Sequence, residues 1–309
     1  MKTYSTITYS AKTPSVVALG CFDGVHLGHC EVIKTAKSIA DGIGVSTTVW
    51  TFDEPPKNYF LPKAVPLITD RKQKHSLIKA LGVDTLVSVP FTKETANISA
   101  ENFFVNIIKN KIKAVHIVCG FDYSFGAQGL GNTELLKKLC AEHGVGLTVI
   151  DSVNVNGITV SSSAVRNALE SGDTETASSL LGRPYAIYSV VIGGQKLARK
   201  LGFPTLNQDI PSRLVVPKHG VYVSRITIDK SKKYYYGITN VGIRPTVGGK
   251  SLFAETHIFD FSGDLYNKAV KVEFLKFIRP EMKFDGLEEL TAQVNKDIGT
   301  AKAHLASIQ

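Results

Sequence analysis

A chain of 309 residues, 43% hydrophobic and 20% charged, is long for one core and ordinary for a globular protein, so two domains are expected. No apolar run approaches membrane-spanning length and the polar opening MKTYSTITYSAKTPS has no signal-peptide core, which excludes secreted and membrane-embedded classes and leaves a cytoplasmic home as the expectation. The net charge is +9, with 18 basic against 11 acidic residues from 186 onward, a bias suited to phosphorylated small molecules and nucleic acid alike.

Through residue 150, strand-like runs (SVVAL, VSTTVWTF, TLVSVPF, AVHIVCG, LTVI) alternate with helical periods (EVIKTAKSIA, RKQKHSLIKAL, AENFFVNIIK, NTELLKKLCAEH). This alternation predicts a parallel sheet covered on both faces, with a ligand crevice at the carboxyl ends of its strands. Cys21, Cys30, Cys119 and Cys140 show no CxxC pairing and read as reduced, buried thiols. A helical pair at 162–171 and 173–181 ends at Gly182-Arg183-Pro184, which places a boundary near 185 and domains at 1–185 and 186–309.

Residues 16–29, VVALGCFDGVHLGH, break from a strand through Gly20, Gly24 and Gly28 onto a helix. Such a junction gathers backbone N–H groups, a helix N-terminus and the imidazoles of His26 and His29, three sources of positive potential for a phosphate. A glycine-rich turn alone also serves plain packing; the second histidine argues for a ligand, and the absence of Gly-Lys-Ser/Thr excludes a P-loop. Asp53 and the Gly120–Gly126 segment also follow strands and converge on the same crevice. Asp122, between aromatics in GFDYSFG, fits contact with a planar ring or a simple turn. In VSSSAVRNALESGD, Ser161, Ser162 and Ser163 open a helix with Arg166 a turn later, which is a polyphosphate grip or a routine N-cap with a surface arginine.

Beyond 185 the texture becomes short alternating runs, predicting a closed antiparallel barrel of about six strands and a helix over 287–305 with Leu287, Leu290, Val294, Ile298 and Ala301 as its apolar stripe. GGQKLARKLGFPTLN offers a basic loop, then Thr205 and Asn207 on one strand face, oxygen donors for a hard cation such as magnesium. In LFAETHIFDF, period two puts Phe253, Glu255, His257, Phe259 and Phe261 on one face, expected to point inward. Glu255 there is a general base or a structural ion pair.

Together these residues resemble the bacterial bifunctional riboflavin kinase and FMN adenylyltransferase family over nearly the whole chain. Gly20, Phe22, Asp23, Gly24, His26, Gly28 and His29 meet its GxFDGxHxGH loop for ATP phosphates, and Ser161, Ser162, Ser163 and Arg166 stand at its second phosphate motif. The resemblance implies a doubly wound, nucleotidyltransferase-type Rossmann-like domain followed by a riboflavin kinase-like barrel. It implies flavin or base contacts at Asp53 and Asp122. In the kinase half it implies ATP contacts at Gly194, Lys196, Arg199, Gly202 and Pro204, Mg2+ at Thr205 and Asn207, Glu255 as the base, and flavin near Arg279 in FIRPEMKF. ATP is then the co-substrate and riboflavin, FMN and FAD the flavins, with no nucleic acid or membrane partner, in a monomer or weak homo-oligomer. Ala198, TFDEPP at 51–56 and Gln128-Gly129 depart from the family pattern. The rival readings are a kinase alone, or a flavin- or RNA-binding regulator without turnover.

Overall fold

The computed structural model describes residues 1–193, 203–229, 231, 233–246 and 249–308. It divides into two compact units, Met1–Ser162 and Ser163–Gln309. The division falls ahead of the change of texture near 185, because the helical pair that precedes that change packs with the second unit.

The first unit runs β1 (Lys2–Tyr4), β2 (Ser15–Leu19), α1 (Leu27–Ile43), β3 (Ser46–Phe52), α2 (Lys57–Phe60), α3 (Arg71–Ala80), β4 (Thr85–Val89), α4 (Lys93–Ala96), α5 (Ala100–Asn102), a π-helical stretch (Phe103–Lys111), β5 (Ala114–Gly120), α6 (Thr133–His143), β6 (Gly146–Ile150) and a short hairpin, β7 (Asn154–Val155) and β8 (Ile158–Thr159). Six strands form a parallel sheet in the order β1-β4-β3-β2-β5-β6. Alternate residues serve opposite faces. Val16, Ala18, Val49, Leu86 and Val118 pack with Val32, Ile33, Ala36 and Ala40 of α1 and Ile78 of α3. Val17, Leu19, Trp50, Val87, Ile117 and Cys119 pack with Phe103, Phe104, Ile107 and Ile108 and with Leu136, Leu139 and Cys140 of α6. From β2 the chain builds outward through β3 and β4 on one side, then crosses back to lay β5 on the other side of β2, so the crevice of this sheet opens beyond β2, where the glycine-histidine loop begins.

Two local features differ from the sequence reading. Lys2–Tyr4, within the polar opening of the chain, adds an edge strand beside β4, with Tyr4 stacked on Tyr9. The helix read in AENFFVNIIK is π-helical over Phe103–Lys111, and its wider turn brings Phe103, Phe104, Ile107 and Ile108 together against the sheet.

The second unit begins with α7 (Ser162–Ser171) and α8 (Thr174–Leu181), followed by β9 (Tyr185–Val190), β10 (Thr205–Asp209), β11 (Gly220–Ile228), β12 (Tyr234–Thr246), β13 (Gly249–Ile258), β14 (Ala269–Arg279) and α9 (Leu287–Ser307). The strands pair antiparallel in the order β10-β13-β12-β11-β14-β9, and a bridge between Ile192 and Asn207 joins the two ends of that order into a barrel. Its interior holds Tyr222, Phe274, Ala254 and Thr256, with Gln208 Nε2 bonded to the carbonyls of Ser189 and Val270 at 2.9 and 2.8 Å. Ala301 and Leu305 of α9 pack outside on Val221, Val223 and Ile238, joined by Phe259, Val294 and Ile298. Leu287, expected in the apolar stripe, is 54% exposed at the helix start, and Leu305 extends the stripe at the other end.

Candidate active sites

In the first unit the loop after β2 is held in an unusual backbone shape. Phe22 (φ 53°), Gly24 (φ 82°) and the β-branched Val25 (φ 41°) all occupy the left-handed region, a strain that persists only where surroundings enforce it. A Cβ on Gly20 would stand 2.8 Å from the Phe22 ring, which is buried. The enforcing contacts come from the segment before α3. The carboxylate of Asp23, 4% exposed, accepts the N–H groups of Ile68 at 3.0 Å and Thr69 at 3.2 Å, and the Gly24 N–H donates to Thr69 Oγ1 at 3.1 Å. Asp23 therefore shapes the loop with its side chain.

His26 caps α1. Its Nδ1 accepts the His29 N–H at 3.2 Å, so a neutral His26 ring carries its proton on Nε2. The His26 and His29 rings stack with centroids 3.5 Å apart, and Phe22 meets His29 edge-on at 5.2 Å. Two imidazolium ions at that separation repel strongly. Burial, the neighbouring His26 and the charge of Lys74 hold His29 well below the ordinary histidine range. His29 Nδ1 is buried without a hydrogen-bond partner. Gly28 lies in the first turn of α1 beside the His26 ring, and the Ser162 hydroxyl donates to the Asp23 carbonyl at 3.0 Å.

The other residues singled out in this half are placed as follows. Asp53, at the end of β3, accepts the Ser88 hydroxyl at 2.6 Å and lies 3.3 Å from Arg71 Nε. Asp122 is exposed in the turn after β5, ahead of the stacked Tyr123 and Phe125 rings. Ser161 is half-buried beside Ser162. Ser163, exposed, and Arg166, buried on α7, belong to the second compact unit. Lys74 of α3 went unread in the sequence. It is 2% exposed and donates to the carbonyls of Cys21 at 2.9 Å and Phe52 at 2.6 Å. Helical spacing held the signal, since Lys74 lies four residues before the core residue Ile78.

In the second unit the register brings three expected residues together. Asn207 of β10 pairs with Glu255 of β13, and Thr205 with His257, so Thr205, Asn207 and Glu255 share one face. Thr205 Oγ1 donates to Glu255 Oε1 at 2.6 Å. His257 Nδ1 lies 3.1 Å from the Pro204 carbonyl. Glu255 does not point into the barrel as expected. Through Tyr236 and Ile238 of β12, its face continues into the outer face that α9 covers, while Ala254 and Thr256 fill the interior. Glu255 is half-buried there. Gly194, Lys196, Arg199 and Gly202 lie outside the described residues, and Pro204 is exposed at the start of β10. Arg279 ends β14, with its guanidinium bonded to Asp297 of α9 through Nε at 3.0 Å and Nη2 at 2.7 Å. Among the described residues no cluster of three His, Cys, Asp or Glu side chains forms a metal site. The oxygen set of Thr205, Asn207 and Glu255 nevertheless suits a hard cation, because a hydroxyl that gives its proton to Glu255 keeps its lone pairs.

The family models for FAD synthetase and riboflavin kinase match residues 8–164 and 181–305. A bifunctional riboflavin kinase/FMN adenylyltransferase of Bacillus subtilis (strain 168) is 37% identical over 300 residues, 96% of this chain and 94% of its own. The chain belongs to the bifunctional riboflavin kinase/FMN adenylyltransferase family. Another relative of that name, from Escherichia coli (strain K12), is 34% identical over 288 residues, covering 93% of this chain and 91% of its own. The crystal structure of a protein described as a macrolide-efflux protein, from Streptococcus pneumoniae, matches with a TM-score of 0.89 and 30% identity over 98% of this chain and 99% of that one. The paired family models agree with the two architectures, a parallel sheet with helices and an antiparallel barrel with a terminal helix. Among the described residues no helix is long and apolar enough to cross a membrane.

Proposed function

We propose that the chain makes FAD in two ATP-dependent steps, with riboflavin phosphorylation in the domain at 186–309 and adenylyl transfer in the domain at 1–185. The reading rests first on the family and then on one observation: two stacked imidazoles at the start of α1, His26 as its N-cap and His29 in its first turn, at the crevice of the parallel sheet.

In the kinase step the terminal hydroxyl oxygen of riboflavin attacks the γ-phosphorus of ATP, its proton passes to Glu255, and ADP leaves. The Thr205 hydroxyl, bonded to Glu255 Oε1, fixes the orientation of the base. Mg2+, held by Thr205 and Asn207, supplies charge neutralisation on the phosphate oxygens when bound. The loop with Gly194, Lys196, Arg199 and Gly202 is assigned to the phosphates by motif, and Pro204 to its exit.

In the second step a phosphate oxygen of FMN attacks the α-phosphorus of another ATP, and the bond to pyrophosphate breaks. The His26 Nε2–H, the N–H groups at the start of α1 and the His29 ring face the charge that develops, and in-line positioning carries the rest. Gly20, Phe22, Asp23, Gly24 and Gly28 build the loop, Ser161, Ser162, Ser163 and Arg166 supply the second phosphate motif, and Asp53 and Asp122 are assigned to base or flavin; Arg279 is assigned to the flavin of the kinase step. The free thiols, Cys119 and Cys140 buried as expected but Cys21 and Cys30 only half-buried, accord with a reducing, cytoplasmic setting. Its partners are small molecules alone, in a monomer or weak homo-oligomer.

Chromatography of the products from riboflavin, ATP and Mg2+ tests this assignment. Wild type yields FAD, Glu255→Ala yields no FMN, and His29→Ala accumulates FMN with FAD formation down at least 100-fold, the size of effect seen when one preorganised charge stabiliser is lost. FMN production by Glu255→Ala at the wild-type rate would remove the base from the reading.

A further inference from the structure

Lys74 is a buried cation that the mechanism above does not use. Its ammonium has acceptors on three sides: the carbonyl of Cys21 at 2.9 Å, the carbonyl of Phe52 at 2.6 Å and the hydroxyl of Thr51 at 3.4 Å. The Thr51 hydroxyl in turn donates to the same Cys21 carbonyl at 2.9 Å. Lys74 forms no ion pair among the described residues. An ammonium at 2% exposure with no carboxylate in contact is costly, and a strand end has cheaper ways to satisfy two carbonyls than a buried charge.

The position of those carbonyls explains the charge. Cys21 lies just past β2 and Phe52 ends β3, so both oxygens belong to the carboxyl edge of the parallel sheet where the histidine loop turns. Carbonyl oxygens left unengaged at that edge repel phosphate oxygens. We propose that Lys74 is a positioning residue of the adenylyl-transfer site: its ammonium engages the Cys21 and Phe52 carbonyls, fixes the loop that carries His26 and His29, and leaves a net positive charge for a nucleoside triphosphate. The proposal rests on the histidine loop being the phosphate site.

The same charge acts on the imidazoles. His29 is faced by His26 from the loop and by Lys74 from α3, and both disfavour its protonation. Burial pulls the pKa of Lys74 itself below the ordinary lysine value, with Cys21, Asp23 and Asp53 acting to raise it and Arg71 of its own helix to lower it. Asp23 is spent on the Ile68 and Thr69 N–H groups and Asp53 on Ser88 and Arg71, so neither neutralises the ammonium by contact.

The test is Lys74→Met in the full chain, which keeps an unbranched side chain one atom shorter and removes its charge. Three measurements are made: the KM for ATP and kcat with FMN, the NMR titration of His29, and riboflavin phosphorylation as an internal control. We expect the KM for ATP in adenylyl transfer to rise about 10- to 100-fold, in keeping with lost hydrogen bonds to a charged group. The His29 titration moves upward and riboflavin phosphorylation stays unchanged, while Lys74→Arg, which retains the charge, leaves the His29 titration near wild type. Fluorescence of Trp50, the single tryptophan, reports whether the first unit is folded. Should Lys74→Met unfold it, Lys74→Gln, which keeps two amide donors without charge, carries the same comparison. An unchanged KM for ATP together with an unchanged His29 titration overturns the proposal. His29→Ala separates the two ideas: if it leaves adenylyl transfer intact, the phosphate-site reading fails, and if it abolishes transfer while Lys74→Met does not weaken ATP use, only the role of Lys74 fails.

Discussion

Glu273, 4% exposed on β14, accepts Arg225 Nε at 2.7 Å and Nη2 at 3.1 Å across the β11–β14 ladder and Lys271 Nζ at 2.6 Å from its own strand. Burial raises its pKa, but the hydrogen bonds from Arg225 and Lys271 outweigh burial, and the net result lies below the ordinary carboxylate value. A carboxyl depressed in the folded state contributes stability that is present above its unfolded pKa and disappears as pH falls through the folded one. The protection factors of the β11–β14 amides, taken against the intrinsic exchange rate at each pH, should therefore fall on acidification from about pH 4.5 downward, the region of the unfolded carboxyl. Glu273→Gln should cost about 1–3 kcal/mol at neutral pH and flatten that acid dependence. Equal acid dependence in wild type and variant would count against it. The residue types at the sites were legible before their partners were. Period two aligned Thr205 with Asn207 and gave Glu255 its own strand face, yet that β10 lies beside β13, so that Thr205 bonds Glu255, depends on strand order. The grip of Asp23 on Ile68 and Thr69 likewise spans some 45 residues, beyond the reach of local pattern.

The terminal helix α9 shows the same limit for whole elements. Its extent and apolar stripe followed from 3.6-residue periodicity, whereas Asp297 on that helix is 2% exposed and has no apolar reason to be buried. Asp297 takes Arg279 Nε through both oxygens at 3.0 Å, Nη2 at 2.7 Å and Gln293 Nε2 at 2.8 Å, tying α9 to the end of β14. Removing one member of a buried pair strands the other charge, so Asp297→Ala should destabilise the second unit by about 3 kcal/mol. Protection of the α9 amides should fall together with the loss, and a variant as protected as wild type would show that apolar packing alone holds the helix. The sidedness of the barrel was misjudged for a related reason. Alternation identifies two faces but not which of them is enclosed; closure of the barrel through the Ile192–Asn207 bridge and the docking of α9 decide that Glu255 faces outward. Parallel strands buried on both faces carried the first unit through the sequence with less ambiguity, because their continuous apolar runs marked β2 to β6, whereas the edge strand β1, the short helices α2 and α4, the β7–β8 hairpin and the π-helical turn have no such run.

Each compact unit has its own sheet and its own buried side chains, and the chemical groups divide with them: His26, His29 and Lys74 in Met1–Ser162, Thr205, Asn207 and Glu255 in Ser163–Gln309. A substitution that disables one apparatus by removing a half-buried polar group leaves the core of the other unit untouched, since each core is built from its own unit's side chains. Full-length His29→Ala should therefore phosphorylate riboflavin normally and full-length Glu255→Ala should adenylylate added FMN normally. Mixed in equal amounts with riboflavin, ATP and Mg2+, the two variants should form FAD, although neither does so alone. FAD should appear after a lag, while FMN released by one chain accumulates to the level the other requires, and the lag should shorten when total protein is raised or FMN is added at the start. A mixture that makes FMN but never FAD, although Glu255→Ala accepts added FMN, would show that the intermediate stays on the chain that made it, and the two sites would then have to be treated as one.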